Sequence, residues 1–134
     1  MGAWGVGAFE NDTAGDWAWE LEEVEDLSLV QSALADAESA GEYLDADVAQ
    51  IALAACEVLA RLRGNWGYKN PYTESMDKWV ESHKFQPPES LLERASAVID
   101  LVLGENSELA ELWDEGDGQE WRASVEELRH RVIG

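Results

Sequence analysis

The sequence predicts an all-α protein, a single compact bundle of about six or seven helices with a Gly/Trp-rich N-terminal segment. Apolar residues recur at spacings of three and four along almost the whole chain, which is the helical period, whereas the alternation typical of strands does not recur. Glycines and prolines fall between these periodic stretches, where helices end or begin. Because no Ser/Gly/Pro-rich linker interrupts the pattern, residues 1–134 are predicted to form one acidic helical domain.

Two capping signals predict the first helices. Thr13-x-x-Asp16 is similar to a capping box, and apolar residues at helical spacing follow it. Ser28-x-x-Gln31 is a second signal of this kind, and the helix that it opens is predicted to end at Gly41.

Longer apolar stripes predict the two central helices. The first stripe runs from Asp45 to Arg63 and ends before Gly64, a residue type that often terminates helices. The second begins after Pro87-Pro88, whose fixed backbone angle suits a helix start, and ends at Gly104. Because each stripe is apolar on one face, the two helices are expected to pack on each other.

Three weaker apolar patterns predict the remaining helices, over residues 76–83, 109–113 and 121–132. The longest irregular connection is predicted at residues 65–72, which include Gly67 and Pro71.

The charge balance argues against several classes of partner. The chain has 9 Lys and Arg against 29 Asp and Glu, a net charge of −20, and such a field repels nucleic-acid phosphates and anionic lipid headgroups. No signal peptide is apparent, and no segment approaches the ~20 apolar residues of a membrane span. The one cysteine, Cys56, cannot form an intramolecular disulfide, so a cytoplasmic location is expected.

The acidic residues are concentrated in the first half of the chain. Residues 1–60 contain 14 acidic residues and no Lys or Arg, and the run from Glu20 to Asp26 has five acids in seven residues. This run is predicted to lie on the solvent side of the first helix. Two interpretations are open: the acids steer a basic partner protein, or they serve solubility in a saline cytoplasm.

Seven tryptophans are many for this length, and most of them fall on the inward stripes. Trp19 is two positions from Trp17 and therefore lies on another helix face. Trp66 lies in the irregular connection with Tyr68 and Tyr72. Exposed aromatic residues beside acids are typical anchors of protein interfaces, although a neighbouring loop or helix could instead cover them.

The residues suited to catalysis or metal binding form no recognisable motif. Cys56 lies beside an apolar stripe and is expected to be a small buried hydrophobe whose thiol pKa is raised. His83, near Trp79, is expected to be a partly buried surface histidine. Neither His83 nor His130 has a His or Cys at ligand spacing, so no catalytic residue, metal or cofactor is predicted.

Two glycine-containing segments lack the register of known ligand loops. Gly5-Val6-Gly7 has neither the third glycine of a dinucleotide-binding loop nor the Gly-Lys-Ser/Thr of a phosphate loop. The run Asp114–Gly118 lacks acids at the third and fifth positions of a calcium loop. This run is therefore predicted to be a polar turn between two helices.

Two motifs near the ends of the chain are similar to those of a known protein family. The chain opens with Met1-Gly2-Ala3-Trp4-Gly5-x-Gly7-x-Phe9-x-Asn11-Asp12-x-Ala14-x-Asp16-Trp17 and later contains Ser107-Glu108-Leu109-Ala110-Glu111-Leu112-Trp113, followed by Trp121. In these motifs it resembles an uncharacterised, mainly bacterial family catalogued as domain of unknown function 4259, over nearly the whole chain. The resemblance implies a small cytosolic domain and brings no catalytic residues.

These observations predict a non-enzymatic protein-binding domain, most concretely an immunity-type inhibitor that occupies the positive cleft of a basic bacterial toxin or nuclease. The residues expected to contact that partner are Trp19, Glu20, Glu22, Glu23, Glu25, Asp26, Trp66 and Tyr68.

Two alternatives remain open. One is a small-ligand-binding or enzymatic domain, with a pocket lined by Trp4, Asn11, Asp12, Trp113 and Asp114. The other is a housekeeping bundle that forms a homodimer through an apolar patch.

Overall fold

The computed structural model describes residues 11–67, 69, 73–83, 85–116 and 118–133. This part of the chain forms seven α-helices, which confirms the predicted all-α bundle: α1 (Asp12–Leu21), α2 (Ser28–Glu38), α3 (Ala46–Leu62), α4 (Glu74–Ser82), α5 (Glu89–Leu103), α6 (Glu108–Asp114) and α7 (Gly118–Ile133). The predicted Gly/Trp-rich segment falls on residues 1–10, which lie outside the described residues.

Helix α3 lies at the centre of the bundle. It packs against each of the other six helices. Every residue from Ala52 to Leu62 is buried, so all faces of this half of the helix meet protein. The sequence predicts that one face of this helix is buried, whereas the structure buries every face of its second half. Alanines make up much of α3, and their small side chains let six neighbouring helices approach closely.

The N-termini of α1 and α2 differ from the predicted capping boxes. Asn11 caps α1, because its Oδ1 accepts a hydrogen bond from the Ala14 amide at 2.8 Å. The Thr13 hydroxyl instead donates to Asp47 on α3 at 3.3 Å. Ser28 does not cap α2 with its side chain; its amide donates to Asp26 at 3.0 Å. In both cases the accepting side chain, Asn11 for α1 and Asp26 for α2, lies two residues before the predicted capping residue.

The predicted helix ends are close to those observed. Gly64 follows the end of α3 with φ +91°, a left-handed conformation in which a side chain would be strained. α5 begins directly after Pro88 and ends before Gly104, as predicted. α2 ends at Glu38, earlier than the predicted Gly41, which has φ +74° in the following turn.

A short backbone pairing joins the starts of α3 and α6. Leu44 and Ser107 form an isolated parallel bridge, with hydrogen bonds from the Leu44 amide to Asn106 O at 2.7 Å and from the Glu108 amide to Leu44 O at 2.9 Å. Ser107 then caps α6. This pairing places the N-terminus of α6 beside that of α3.

Substitution of Leu59 by Ala tests the importance of the α3 core. Leu59 is 0% exposed, so Leu59→Ala is expected to lower the free energy of unfolding by about 2–5 kcal/mol through lost burial and a cavity. Leu101→Ala is the matched control, because Leu101 on α5 is 48% exposed. Urea denaturation measures both, and equal losses in the two variants would contradict the central position of α3.

Candidate functional site

Trp19 lies on the solvent side of α1. The large apolar side chains that are exposed in the described part of the chain are Trp19, Tyr43, Leu101 and Ile133, and Trp19 is the most exposed at 69%. Trp17, two residues earlier, is 3% exposed and belongs to the core. The helix period separates the two rings as the sequence predicts, and it leaves an indole in water beside the acidic run.

The acidic run is held against α4. We call the exposed side chains of this region the acidic Trp19 surface: Trp19, Glu20, Glu22, Glu23, Glu25 and Asp26. The Trp79 indole donates to the backbone oxygen of Val24 at 2.8 Å, and His83 Nε2 lies 2.8 Å from Glu25 Oε2. Hydrogen bonds from Ser28 hold the pKa of Asp26 below its usual value. These contacts give the segment after α1 a defined position.

His83 is positioned to carry a proton on each ring nitrogen. Its Nδ1 lies 2.9 Å from the Trp79 carbonyl oxygen, and its Nε2 faces the Glu25 carboxylate. Both partners are acceptors, so only the imidazolium satisfies both contacts. Accordingly, Glu25 first and the Trp79 carbonyl second raise the pKa of His83 above its ordinary 6.5. The ring also stacks on Trp79, with centroids 4.6 Å apart.

Trp66 is half-buried rather than fully exposed. Two cations lie over its ring, with Arg61 Cζ at 5.4 Å and Lys69 Nζ at 4.4 Å from the ring centroid. Tyr68, the other aromatic residue expected to contact a partner, lies outside the described residues. A partner-binding role for Trp66 stays a prediction, and its observed contacts are with its own chain.

A network of buried charges lies where α3, α4 and α7 meet. Arg61 bonds to Glu57 one turn earlier on α3 and, through Nε, to Asp77 on α4 at 2.9 Å. Arg131 on α7 reaches the same Glu57 carboxylate with both terminal nitrogens, at 2.9 and 2.7 Å. Thr73 donates to the second Asp77 oxygen at 2.7 Å. We call these five residues the buried charge network.

Arg131 also joins the irregular connection after α3 to the last helix. The side-chain amide of Asn65 donates to Arg131 O at 2.8 Å. A Cβ on Gly67 would lie 2.7 Å from the Arg131 Cζ, so any larger residue there would displace the guanidinium. Burial by itself would lower the pKa of Arg131, but hydrogen bonds to Glu57 and Glu127 outweigh it and raise that pKa above its usual range. Arg131 therefore stays charged.

No sequence motif singled out this network. The spacing of Glu57 and Arg61, four residues apart on one helix, is typical of an intrahelical ion pair, and Glu127 and Arg131 repeat it. That spacing does not reveal burial. The contact with Asp77 depends on how α3 and α4 pack, which local patterns do not encode.

The predicted ligand pocket is divided in the structure. Asn11 and Asp12 line a depression together with Asp45, Asp47 and Glu108, at the N-termini of α1, α3 and α6. We call this depression the acidic groove; Gln50 and Leu112 also line it.

The other predicted pocket residues lie elsewhere or outside the described residues. Asp114 lines a separate depression at the turn between α6 and α7, and Arg122, 2.8 Å away, holds its pKa below the usual value. The ring of Trp113 stacks on Trp121 with centroids 6.3 Å apart. Trp4 falls within residues 1–10.

Cys56 is fully buried on α3, and burial raises the pKa of its thiol, as the sequence predicts. Its sulfur lies 3.9 Å from the Ala95 backbone oxygen, a weak hydrogen bond. Among the described residues, no three His, Cys, Asp or Glu side chains are arranged to hold a metal ion.

Residues 2–124 match the family described as Domain of unknown function (DUF4259). The chain belongs to this family. The membership confirms the resemblance carried by the motifs at the two ends of the sequence. No curated protein and no solved structure matches this DUF4259 chain.

None of its helices in the described ranges combines the length and apolar character needed to cross a bilayer.

Arg61→Met tests the buried charge network of this DUF4259 protein. Arg61 is 1% exposed, so its loss leaves the Asp77 carboxylate buried without its cation and is expected to cost about 3–5 kcal/mol of unfolding free energy. Arg94→Met is the matched control: Arg94 pairs with Glu38 across α5 and α2, where both side chains are more than a third exposed, and its loss should cost under about 1 kcal/mol. Urea denaturation at neutral pH compares them, and similar costs would refute a special role for the network.

The His83–Glu25 pair predicts a pH dependence of stability. Because the folded pKa of His83 is raised above its ordinary 6.5, the pair's contribution is complete below that value and is lost as pH rises through the folded pKa. Glu25→Gln should lower the pKa of His83, measured by NMR titration of the imidazole, and remove this part of the pH dependence of unfolding. Glu23→Gln carries the same charge change and serves as control; an equal effect there would contradict the assignment.

Proposed function

We propose that this DUF4259 protein is a non-enzymatic protein-binding domain whose acidic Trp19 surface docks on a basic protein. Its most concrete form is an immunity-type inhibitor that occupies the positive cleft of a basic bacterial toxin or nuclease. The observation that supports this proposal most directly is the indole of Trp19, 69% exposed beside five exposed carboxylates.

The chemistry of the acidic Trp19 surface suits an interface. Tryptophan is among the residues that contribute most binding energy when a partner pocket desolvates it. Acidic side chains around such an anchor accelerate encounter with a positive surface and disfavour partners of the wrong charge. The net charge of −20 adds a long-range field of the same sign, which salt would screen.

The attachment of the acidic run to α4 further supports binding through this surface. The contacts of Val24 with Trp79 and of Glu25 with His83 order the segment before any partner arrives. A preordered segment loses less conformational entropy on binding. Glu25 thereby takes a structural role, and Glu22 and Glu23 are the side chains proposed to steer the partner.

Comparative capture from a lysate of the source cell tests the proposed anchor. Tagged wild-type protein and the Trp19→Ala variant are expected to differ at moderate salt: a basic protein retained by the wild type should be lost from the variant, since truncation removes the anchor. Leu101→Ala removes another exposed apolar side chain and should retain the partner. Mass spectrometry identifies the retained proteins. Identical retention by all three would contradict binding through Trp19.

Charge reversal tests the proposed steering once the partner is purified. Glu22→Lys with Glu23→Lys should slow association by about tenfold at low salt and flatten its salt dependence, because the local field is reduced. Glu115→Lys with Glu120→Lys changes the net charge equally at the α6–α7 turn and should slow association less. Stopped-flow measurements over a salt series separate the two. Equal slowing by both pairs would show that only the net charge of the protein affects the association rate, which would contradict steering by Glu22 and Glu23.

A further inference from the structure

Gly15 lies in α1, one turn before Trp19, and the described structure gives no reason for a glycine there. Its amide donates to the Asn11 carbonyl oxygen at 3.1 Å, so the residue belongs to the helix. The described glycines with positive φ are Gly41 and Gly64, so the backbone at Gly15 is one that other residues adopt. A Cβ built on Gly15 meets no described atom within 4 Å, apart from the helical backbone itself. Backbone conformation and packing therefore both permit alanine.

A glycine inside a helix lowers the stability of the folded protein. It loses more backbone freedom on folding than alanine does, and it has one of the lowest helix propensities. The other glycine within the described helices, Gly118, is explained by packing, because a Cβ there would lie 2.5 Å from Asp114 Oδ1. Gly15 has no such explanation within the described ranges. Its small size is therefore available for a contact with another molecule.

Gly15 and Trp19 form a notch on the outer side of α1. Residues four apart lie one turn apart on the same side of a helix. α1 packs on α3 and α4 through other positions, and the Trp19 indole stays 69% exposed. Without a side chain at Gly15, another molecule can approach the α1 backbone more closely there, beside the indole. We call this feature the Gly15–Trp19 notch.

The charges around the notch define the sign of its partner. Residues 1–60 contain no Lys or Arg, so an approaching element meets only carboxylates on α1 and directly after it. A basic element is attracted by this field and an acidic one is repelled. The exposed carboxylates nearest to the notch in sequence are those of Asp12, Asp16, Glu20 and Glu23.

The form of the surface favours a helix as the docking element. A strand docks by extending the free edge of a sheet, whereas the backbone groups inside α1 already pair with each other. Helices instead pack by fitting the side-chain ridges of one into the grooves of the other. A missing side chain deepens such a groove, and the exposed indole offers apolar surface beside it.

We propose that the Gly15–Trp19 notch receives an amphipathic basic helix of a partner protein. An apolar side chain of that helix fills the notch against the Trp19 indole, and Lys or Arg residues beside its apolar stripe face the carboxylates of α1. This inference rests on the proposed function, because it names the element with which a basic protein docks on the acidic Trp19 surface. It adds Gly15 as the residue that decides which elements fit.

Gly15→Ala tests whether the notch is open in the free protein. The substitution should raise the midpoint of thermal unfolding by about 2–4 °C, since alanine favours the helix and its methyl group meets no neighbour. Ala35→Gly, at an exposed position of α2, is the reverse control and should lower the midpoint by a similar amount. Circular dichroism measures both. A lower midpoint for Gly15→Ala would show that this chain itself covers the position, which would overturn the proposal.

A synthetic helix tests the chemistry of the partner. The probe is a peptide of Leu, Ala and Lys, about 18 residues long, whose leucines form one helical face. A control peptide has the same composition in an order that forms no apolar face. Fluorescence anisotropy at about 0.15 M salt should show saturable binding of the probe, at least about tenfold tighter than the control, because only the probe presents continuous apolar surface. Equal binding of the two peptides would mean diffuse charge attraction and would overturn the proposal.

NMR spectroscopy locates the bound peptide on the protein. The backbone amide of Gly15 and the indole N–H of Trp19 should shift together, with the saturation curve seen by anisotropy. A Trp19→Phe variant assigns the indole signal among those of the seven tryptophans. Saturable binding without a shift of the Gly15 amide would place the helix elsewhere and overturn the proposal.

Two further variants separate the notch from the surface around it. Gly15→Gln places a polar side chain in the notch and should weaken the probe peptide at least about tenfold. Ala35→Gln ends in the same amide on α2 and should change the affinity less than about twofold. Full affinity in Gly15→Gln, with affinity lost in Trp19→Ala, would overturn the notch and leave the proposed docking surface standing. Full affinity in both would contradict the notch and the proposed function together.

Discussion

The packing of the second half of α3 on all sides is the constraint on which the rest of the bundle depends. From Ala52 to Leu62 the helix has no solvent face on which a charged side chain can remain hydrated. Most of its buried positions are therefore alanine or aliphatic residues. Glu57 and Arg61, 2% and 1% exposed, are tolerated only because charged side chains of α4 and α7 reach them.

This requirement links the positions of distant segments. Asp77 must face α3 for its carboxylate to meet the Arg61 guanidinium, which restricts the orientation of α4. α4 in turn presents Trp79 and His83 to the acidic segment after α1. The placement of the acidic Trp19 surface thus follows, through two sets of contacts, from a buried charge in the middle of the chain.

Local sequence patterns predict the helices well, because helical period and terminators act within a few residues. The exposure of Trp19 follows from the same period. The capping residues are not determined by the local pattern. Asn11 and Asp26 take roles for which Thr13 and Ser28 are equally suited, and only the path of the chain decides between neighbouring polar residues. Contacts between helices, such as that of Arg61 with Asp77, depend on packing and leave no local signature.

The position of Arg131 has a consequence for how the boundary of this domain is drawn. The family match ends at residue 124, inside α7, whereas Glu127 and Arg131 lie in the second half of that helix. A chain shortened to the matched segment would lose the cation that holds Glu57 with two hydrogen bonds. The buried charge network would then hold two carboxylates, those of Glu57 and Asp77, against the single cation of Arg61. The folding unit is therefore longer than the segment by which the family is recognised.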